Sequence, residues 1–213
     1  MLELLVVRHG HSVGDMEDRY EGRADFELTD LGRAQAERAA HWLRDHYMPD
    51  EVISSPLKRA RGTAERISEI CEKTLQLDPE LMEWNNGRLA GLEKGQGKAE
   101  YPLFAEYRSP HNTYADTESF IQFRTRAELF LSKLIHREDM KDKRICLVSH
   151  GGFINMLFSS FLNVPMDSAV SLKTGDTGIH LWQVDAERSH LWQVHRQTRR
   201  IIFSNYQEHL NDL

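Results

Sequence analysis

Short, continuous apolar runs alternate along the chain with segments whose apolar residues recur at helical spacing. That alternation predicts an α/β fold: a three-layer sandwich with a mostly parallel central sheet and helices on both faces. A repeated LWQV, at 181–184 and 191–194, adds an expected pair of hairpin strands near the C-terminus. The 213 residues read as a single domain, long enough to bury a core without staples, with a long irregular excursion at about 80–115.

Residues 3–7 read as a buried strand. Thr29 is placed to cap a helix from about Leu31, with Ala36, Ala40, Leu43 and Tyr47 on one face. Residues 51–54 form a short strand after Pro49 and Asp50. Leu57, Ala60, Ala64, Ile67 and Cys71 then recur at helical spacing. Residues 80–115 are rich in Gly, Pro, Asn and Tyr, and a connection of that length is usually a lid or a binding element. Phe120, Phe123, Ala127, Phe130 and Leu134 mark another helix. Residues 144–149 are a strand, and 153–162 a helix apolar on nearly all sides. The basic group Arg196, Arg199 and Arg200 is expected to cover a strand end or the C-terminal segment.

Composition excludes several classes. With 27 Lys+Arg against 33 Asp+Glu, the net charge of −6 argues against nucleic acid, whose binders carry a positive surplus. Cys71 and Cys146, the only two cysteines, lack the spacing of a zinc site and suit a reducing, cytoplasmic setting. The opening MLELLVVRHGH lacks the basic region and apolar length of a secretory leader. Residues 145–166 carry no Asp, Glu, Lys or Arg, but His150, Gly151, Gly152 and Asn155 interrupt them, whereas a spanning helix needs about 20 apolar residues. No membrane is expected. GQGKAE at 95–100 lacks the first glycine of a nucleotide-binding loop, since Leu92 stands there.

In open parallel sheets, ligands gather beyond the carboxyl ends of the strands. The first strand ends in Arg8, His9 and Gly10; the second ends in Ser54 and Ser55, with Arg59 one turn into the next helix; the late strand ends in His150, Gly151 and Gly152. Guanidinium forks match phosphate oxygens and stay charged at any working pH. A neutral imidazole is a competent nucleophile toward phosphorus. A glycine after each histidine lets a ligand approach the backbone, and Gly151 and Gly152 open a helix whose free N–H groups favour an anion. The set points to a phosphoryl group. His9 and His11 share a face and read alternatively as a metal pair, but Arg8 and Arg59 beside them would repel a cation, so no metal is expected.

With those residues in hand, the sequence resembles the histidine phosphatase superfamily, the phosphoglycerate-mutase-like enzymes. LLVVRHGHS, DRYEGRADFELTDLGRAQA, VISSPLKRARGTAERI, LMEWNNGRLAGL and LVSHGG resemble its ordered segments over nearly the whole chain. The resemblance implies that His9 carries the phosphoryl group, that Arg8, Arg59 and His150 hold its oxygens, and that Glu83 protonates the leaving oxygen and later activates water. It further implies substrate contacts at Asp15, Arg19, Gly22 and Gly151, and no metal or organic cofactor, since the arginines and His150 take the role magnesium plays elsewhere. The chain departs from the family pattern at His11, Asp15, Gly62 and Ala90. Asp15 stands where an Asn is usual; it faces a cationic part of the substrate, pairs with an arginine such as Arg19, or turns outward.

The expected function is hydrolysis of a small phosphomonoester, a phosphorylated metabolite, through phosphohistidine. A phosphoglycerate-type mutase and a catalytically weak phospho-ligand binder are the alternatives. Trp84, Arg88, Tyr101, Tyr107, Arg108, His111 and Tyr114 of the excursion are candidates to line the substrate pocket or to fill core beneath a long loop. The sequence leaves the oligomeric state open.

Overall fold

The computed structural model of the protein describes residues 1–102, 109–166, 168–186, 197–211 and 213. Six strands form one sheet: β1 Leu2–Arg8, β2 Glu51–Ser54, β3 Leu75–Leu77, β4 Arg144–Ser149, β5 Ile179–Ala186 and β6 Gln197–Tyr206, in spatial order β3-β2-β4-β1-β5-β6. The first four run parallel, while β5 is antiparallel to both β1 and β6. Arg8 pairs with Ser149 and Ser54 with Val148, so β1, β2 and β4 end at the same level. That common edge positions the site.

Among the described residues the α-helices are α1 Val13–Met16, α2 Asp30–His46, α3 Lys58–Cys71, α4 Lys94–Glu100, α5 Phe120–Ile135 and α6 Gly151–Phe161. Thr29 caps α2 by accepting from Gly32 N–H, and a capping box of Ser119 and Gln122 starts α5. Because strand side chains alternate, Leu4, Val6, Ile145, Leu147 and Trp182 pack under α5 and α6. Leu5, Val7, Val52, Cys146 and Val148 face α2 and α3. Ala39, Ala40, Ala60 and Ala64 let those two helices approach each other and the sheet closely. Burial of each large apolar side chain contributes roughly 1.5–3 kcal/mol, which offsets the cost of the polar cluster at the strand ends.

Four details differ from what periodicity suggests. β3 was not foreseen, since three residues centred on Gln76 carry no alternation. The first LWQV lies in β5, but its Leu181, Trp182, Gln183 and Val184 pair with Phe203, Ile201, Arg200 and Arg199, while 191–194 and Arg196 lie outside the described residues. Trp182 is fully buried against Phe158 and Phe161 of α6, which fixes the face that β5 turns to the core. Arg199 covers a helix end rather than a strand end, donating to the carbonyls of Ser160 and Phe161 at the end of α6. The excursion, finally, is partly ordered: it contains α4, formed by the GQGKAE stretch, and two short 3-10 turns, Pro79–Leu81 and Gly87–Leu89. Tyr107 and Arg108 fall outside the described residues. Among the described residues, no helix is long and apolar enough to cross a membrane.

Candidate active site

His9 follows the last residue of β1 and is buried. Its Nδ1 lies 2.8 Å from the Gly10 carbonyl, an acceptor only, so the ring proton sits there and Nε2 carries the free lone pair. Burial first, then the charges of Arg59 and Arg8, hold the imidazole well below its usual titration range. The ring is neutral, with the Nε2 lone pair presented. Gly10 is required for a reason other than ligand access: a Cβ there would stand 2.5 Å from the Gly32 carbonyl of α2. Gly10 N–H donates to Thr63 Oγ1 at 3.1 Å, and the Thr63 hydroxyl donates to the Arg59 carbonyl at 2.9 Å. The strand end that carries His9 is thereby tied to the helix that carries Arg59.

Arg59 is fully buried. The amide of Lys58, at the start of α3, finds its cap in Asp25 Oδ1 at 2.8 Å, since Leu57 has no capping side chain. The Arg59 guanidinium donates to the carbonyls of Ala24 (3.0 Å) and Gly22 (2.8 Å), which aims Nε at His9 Nε2, 3.3 Å away. Gly22 thus serves the site through its carbonyl. Arg8 donates to the Thr174 carbonyl at 3.1 Å and lies 3.4 Å from Asp176 and 3.6 Å from Asp15, while its Nε is buried with no partner.

His150 caps α6 at the end of β4 and is fully buried, its ring centroid 5.2 Å from that of His9. Burial, then Arg59, His9 and Arg8, depress its titration as well. Its Nε2 is 2.8 Å from Ser55 Oγ, which accepts from Leu57 N–H at 3.3 Å. The Ser55 hydroxyl hydrogen therefore has one acceptor in reach, His150 Nε2, and the ring proton is left on Nδ1. That Nδ1 is buried without a partner. Leaving a buried polar atom unsatisfied costs about 1–3 kcal/mol, so Arg8 Nε and His150 Nδ1 are two donors that an anion beside His9 would satisfy.

Glu83 arrives from the excursion. Its Oε2 accepts from Gly152 N–H and its Oε1 from Trp84 N–H, both at 2.8 Å. A Cβ at Gly152 would stand 2.5 Å from Glu83 Oε1, so only glycine admits the carboxylate to the first turn of α6. Arg126 of α5 fixes this loop by donating to the carbonyls of Glu80, Met82 and Glu83, at 2.7, 2.6 and 3.2 Å.

The remaining foreseen residues are placed as follows. Gly151 opens α6 beside Arg8, with nothing but that side chain and Thr174 near a Cβ position. Asp15 faces inward, pairing with Arg8 rather than Arg19 and accepting from Ser12 N–H at 3.2 Å. Arg19 turns toward the excursion, bonded to Glu17 and the Gly91 carbonyl and 3.8 Å from Glu93, and its described contacts include none of His9, Arg8, Arg59 or His150. His11 Nδ1 is 3.0 Å from Thr29 Oγ1. Among the described residues, no three His, Cys, Asp or Glu side chains are arranged to hold a metal ion.

Sequence reasoning missed Asp176 and Glu21, and it named Ser55 at the end of β2 without a role. Glu21 Oε1 lies 3.4 Å from Arg59 Nε and is hydrogen-bonded to the Ser12 hydroxyl, while Oε2 is 3.9 Å from His9 Nε2. Burial, reinforced by Asp15, pushes its carboxyl up from the usual range against the opposing pull of Arg59 and Ser12. Its adjacency to Gly22 was the one available signal. Two guanidiniums are therefore met by the carboxyls of Asp15, Glu21, Glu83 and Asp176.

Known proteins share this arrangement of strands and helices. A mycobacterial glucosyl-3-phosphoglycerate phosphatase, solved with VO3, superposes with a TM-score of 0.80 at 26% identity over 96% of this chain and 99% of that one. In sequence, glucosyl-3-phosphoglycerate phosphatase of Mycobacterium tuberculosis is 31% identical over 171 residues, 76% of each protein. Phosphoglycerate mutase-like protein 4 of Arabidopsis thaliana is 35% identical over 161 residues, 73% of this chain and 69% of that protein. The family model matches residues 4–197, from the strand that delivers His9 through the strand that delivers His150 and on to β6, and the chain belongs to the histidine phosphatase superfamily (branch 1).

Proposed function

We propose that this protein is a phosphatase that hydrolyses a small phosphomonoester through a covalent phosphohistidine on His9. One observation carries the reading: His9 Nε2 is unprotonated and faced by Arg59 Nε at 3.3 Å, in a pocket whose two partnerless buried donors are Arg8 Nε and His150 Nδ1. The phosphatase and mutase-like relatives support it. In the first step the Nε2 lone pair attacks phosphorus in line and the P–O bond to the alcohol breaks. Glu83, protonated, gives its proton to the leaving oxygen. Arg8, Arg59 and His150 meet the charge that builds on the equatorial oxygens, and the Gly10 carbonyl keeps the Nδ1 proton as the ring becomes cationic. In the second step water attacks phosphorus, Glu83 takes its proton, the N–P bond breaks and neutral His9 returns. Every group the cycle uses belongs to this chain.

The whole chain works as one domain in this reading, and the described part of the excursion is tied to the segment that follows α1: Tyr20 N–H donates to the Leu92 carbonyl and Gly91 N–H to that of Tyr20. Buried free thiols at Cys71 and Cys146 support a cytoplasmic location. The test is to quench the reaction with a ³²P-labelled monoester. Label should appear on the protein as an acid-labile, alkali-stable bond, and phosphate should be released to water rather than returned to a second hydroxyl of the substrate. No label during turnover would reject the covalent route.

Ser55→Ala should lower kcat/KM by about 10–100-fold, because His150 is freed to take the wrong tautomer. Nitrogen-15 spectra of the imidazole check the cause: the proton should be confined to Nδ1 in wild type and shared with Nε2 in the variant. Ser55→Thr, which keeps the hydroxyl, should restore the wild-type pattern.

A further inference from the structure

We propose that Glu21 is a proton-gated wall of the phosphate pocket: neutral, it admits the phosphoryl group and donates to one of its oxygens; ionised, it occupies Arg59 and repels the dianion. The proposal rests on the phosphatase reading and adds to it a residue that sets when phosphate binds. It begins with a count of hydrogens. Ser12 Oγ contacts Asp15 Oδ2 at 3.0 Å and also Glu21 Oε1, and it accepts from Asp15 N–H at 3.0 Å. A hydroxyl has one hydrogen, so it can donate to only one of two carboxylates. The second contact needs a proton brought by a carboxyl.

Glu21 is the better holder of that proton. Asp15 is compensated by Ser12 N–H at 3.2 Å and by the Arg8 guanidinium at 3.6 Å. Glu21 has the Ser12 hydroxyl and a share of Arg59 Nε, the same donor that is aimed at His9 Nε2. Its Oε2 lies 3.9 Å from His9 Nε2. The groups that face it are His9 and Arg8 from β1, Ser12 and Asp15 from α1 and its cap, and Arg59 from α3, with Glu83 acting on Arg59 from beyond. The raised carboxyl titration agrees with the count. A phosphoryl group bonded to Nε2 fills the space that Oε2 now borders, and a carboxylate there meets a dianion at contact distance.

The sign follows. A carboxyl with a raised pKa stays neutral to higher pH than an ordinary Glu, and it ionises as pH rises through that value; phosphate binding pulls the proton back on. Affinity for phosphate therefore falls on the alkaline side. The test is calorimetric titration of inorganic phosphate into wild type and into Glu21→Gln, at about pH 5 and about pH 8. Taking the ratio of the two proteins at each pH cancels the ionisation of phosphate itself. The ratio should be near one in acid and rise to roughly tenfold or more in favour of Glu21→Gln in base, one pKa unit of coupling being a factor of about ten. Titrations in buffers of different ionisation enthalpy should show proton uptake in wild type that the variant lacks. If Glu21→Gln does not fold, Glu21→Thr removes the same charge with less volume. An unchanged ratio across pH, or weaker binding by the variant at both values, would overturn the role of Glu21. Absence of any phosphate binding to wild type would instead reject the phosphatase reading, and this inference with it.

Discussion

His9→Ala should lower hydrolysis of an aryl phosphate by at least about a thousandfold and abolish ³²P labelling, with the fold retained. No other group stands ready to take its place. The nearest imidazole, His150, has its Nε2 engaged by Ser55 and its proton on Nδ1, so it presents a donor rather than a lone pair. The variant loses two side-chain hydrogen bonds, that from Nδ1 to the Gly10 carbonyl and that from Arg59 Nε to Nε2. It also relieves the burial of a polar ring beside two guanidiniums, so the thermal midpoint should move little. Rate, label and melting curve on the same preparation make the check. Hydrolysis that survives undiminished would sink the nucleophile assignment, whatever becomes of the fold.

Glu83→Gln should separate two classes of ester. For an alkyl phosphate, whose leaving alkoxide needs a proton, the rate should fall by about 10²–10⁴. For a nitrophenyl phosphate, whose leaving group departs as a stable anion, phosphorylation of His9 should be nearly unaffected. Dephosphorylation would still be slowed, because water must lose a proton in the second step. The label on His9 should consequently accumulate in the variant when the aryl ester is used. The amide also leaves one of two N–H donors, from Gly152 or Trp84, facing an NH₂ group, at a cost of about 1–3 kcal/mol in stability. Equal losses on both esters, with no build-up of label, would show that Glu83 holds the loop without moving a proton.

The two residues differ in how they could be found. His9 was visible because a strand of continuous apolar residues must end, and in a parallel sheet its end is where ligands collect. The same reasoning reached Arg8, Arg59 and His150, and the level ends of β1, β2 and β4 bring them together. Glu83 sits in an irregular segment, one acid among 33 Asp+Glu, and only the family resemblance singled it out. Its carboxylate finds its place through Gly152, Trp84 and the three carbonyls held by Arg126, contacts that no local pattern announces. The C-terminal hairpin shows the same limit. The repeated LWQV suggested its own partner, but in the folded chain the first copy pairs with residues 199–203 of β6.

Local pattern was sufficient for the α/β layering, for most of the strands and helices, and for the histidines and arginines at the strand ends. Those follow from side-chain period and chain connectivity, which act over a few residues. The charge balance of the pocket was decided by the folded chain alone. The sequence offered Arg19 as a third cation, and the structure turns it toward Glu17 and Gly91. It offered Asp15 as an anomaly, and the structure sets Asp15 against Arg8 and adds Glu21 and Asp176 around the same two guanidiniums. Whether a carboxyl is solvated or buried beside an arginine depends on segments that meet only after folding, and a pattern that repeats every two or four residues carries no record of that meeting.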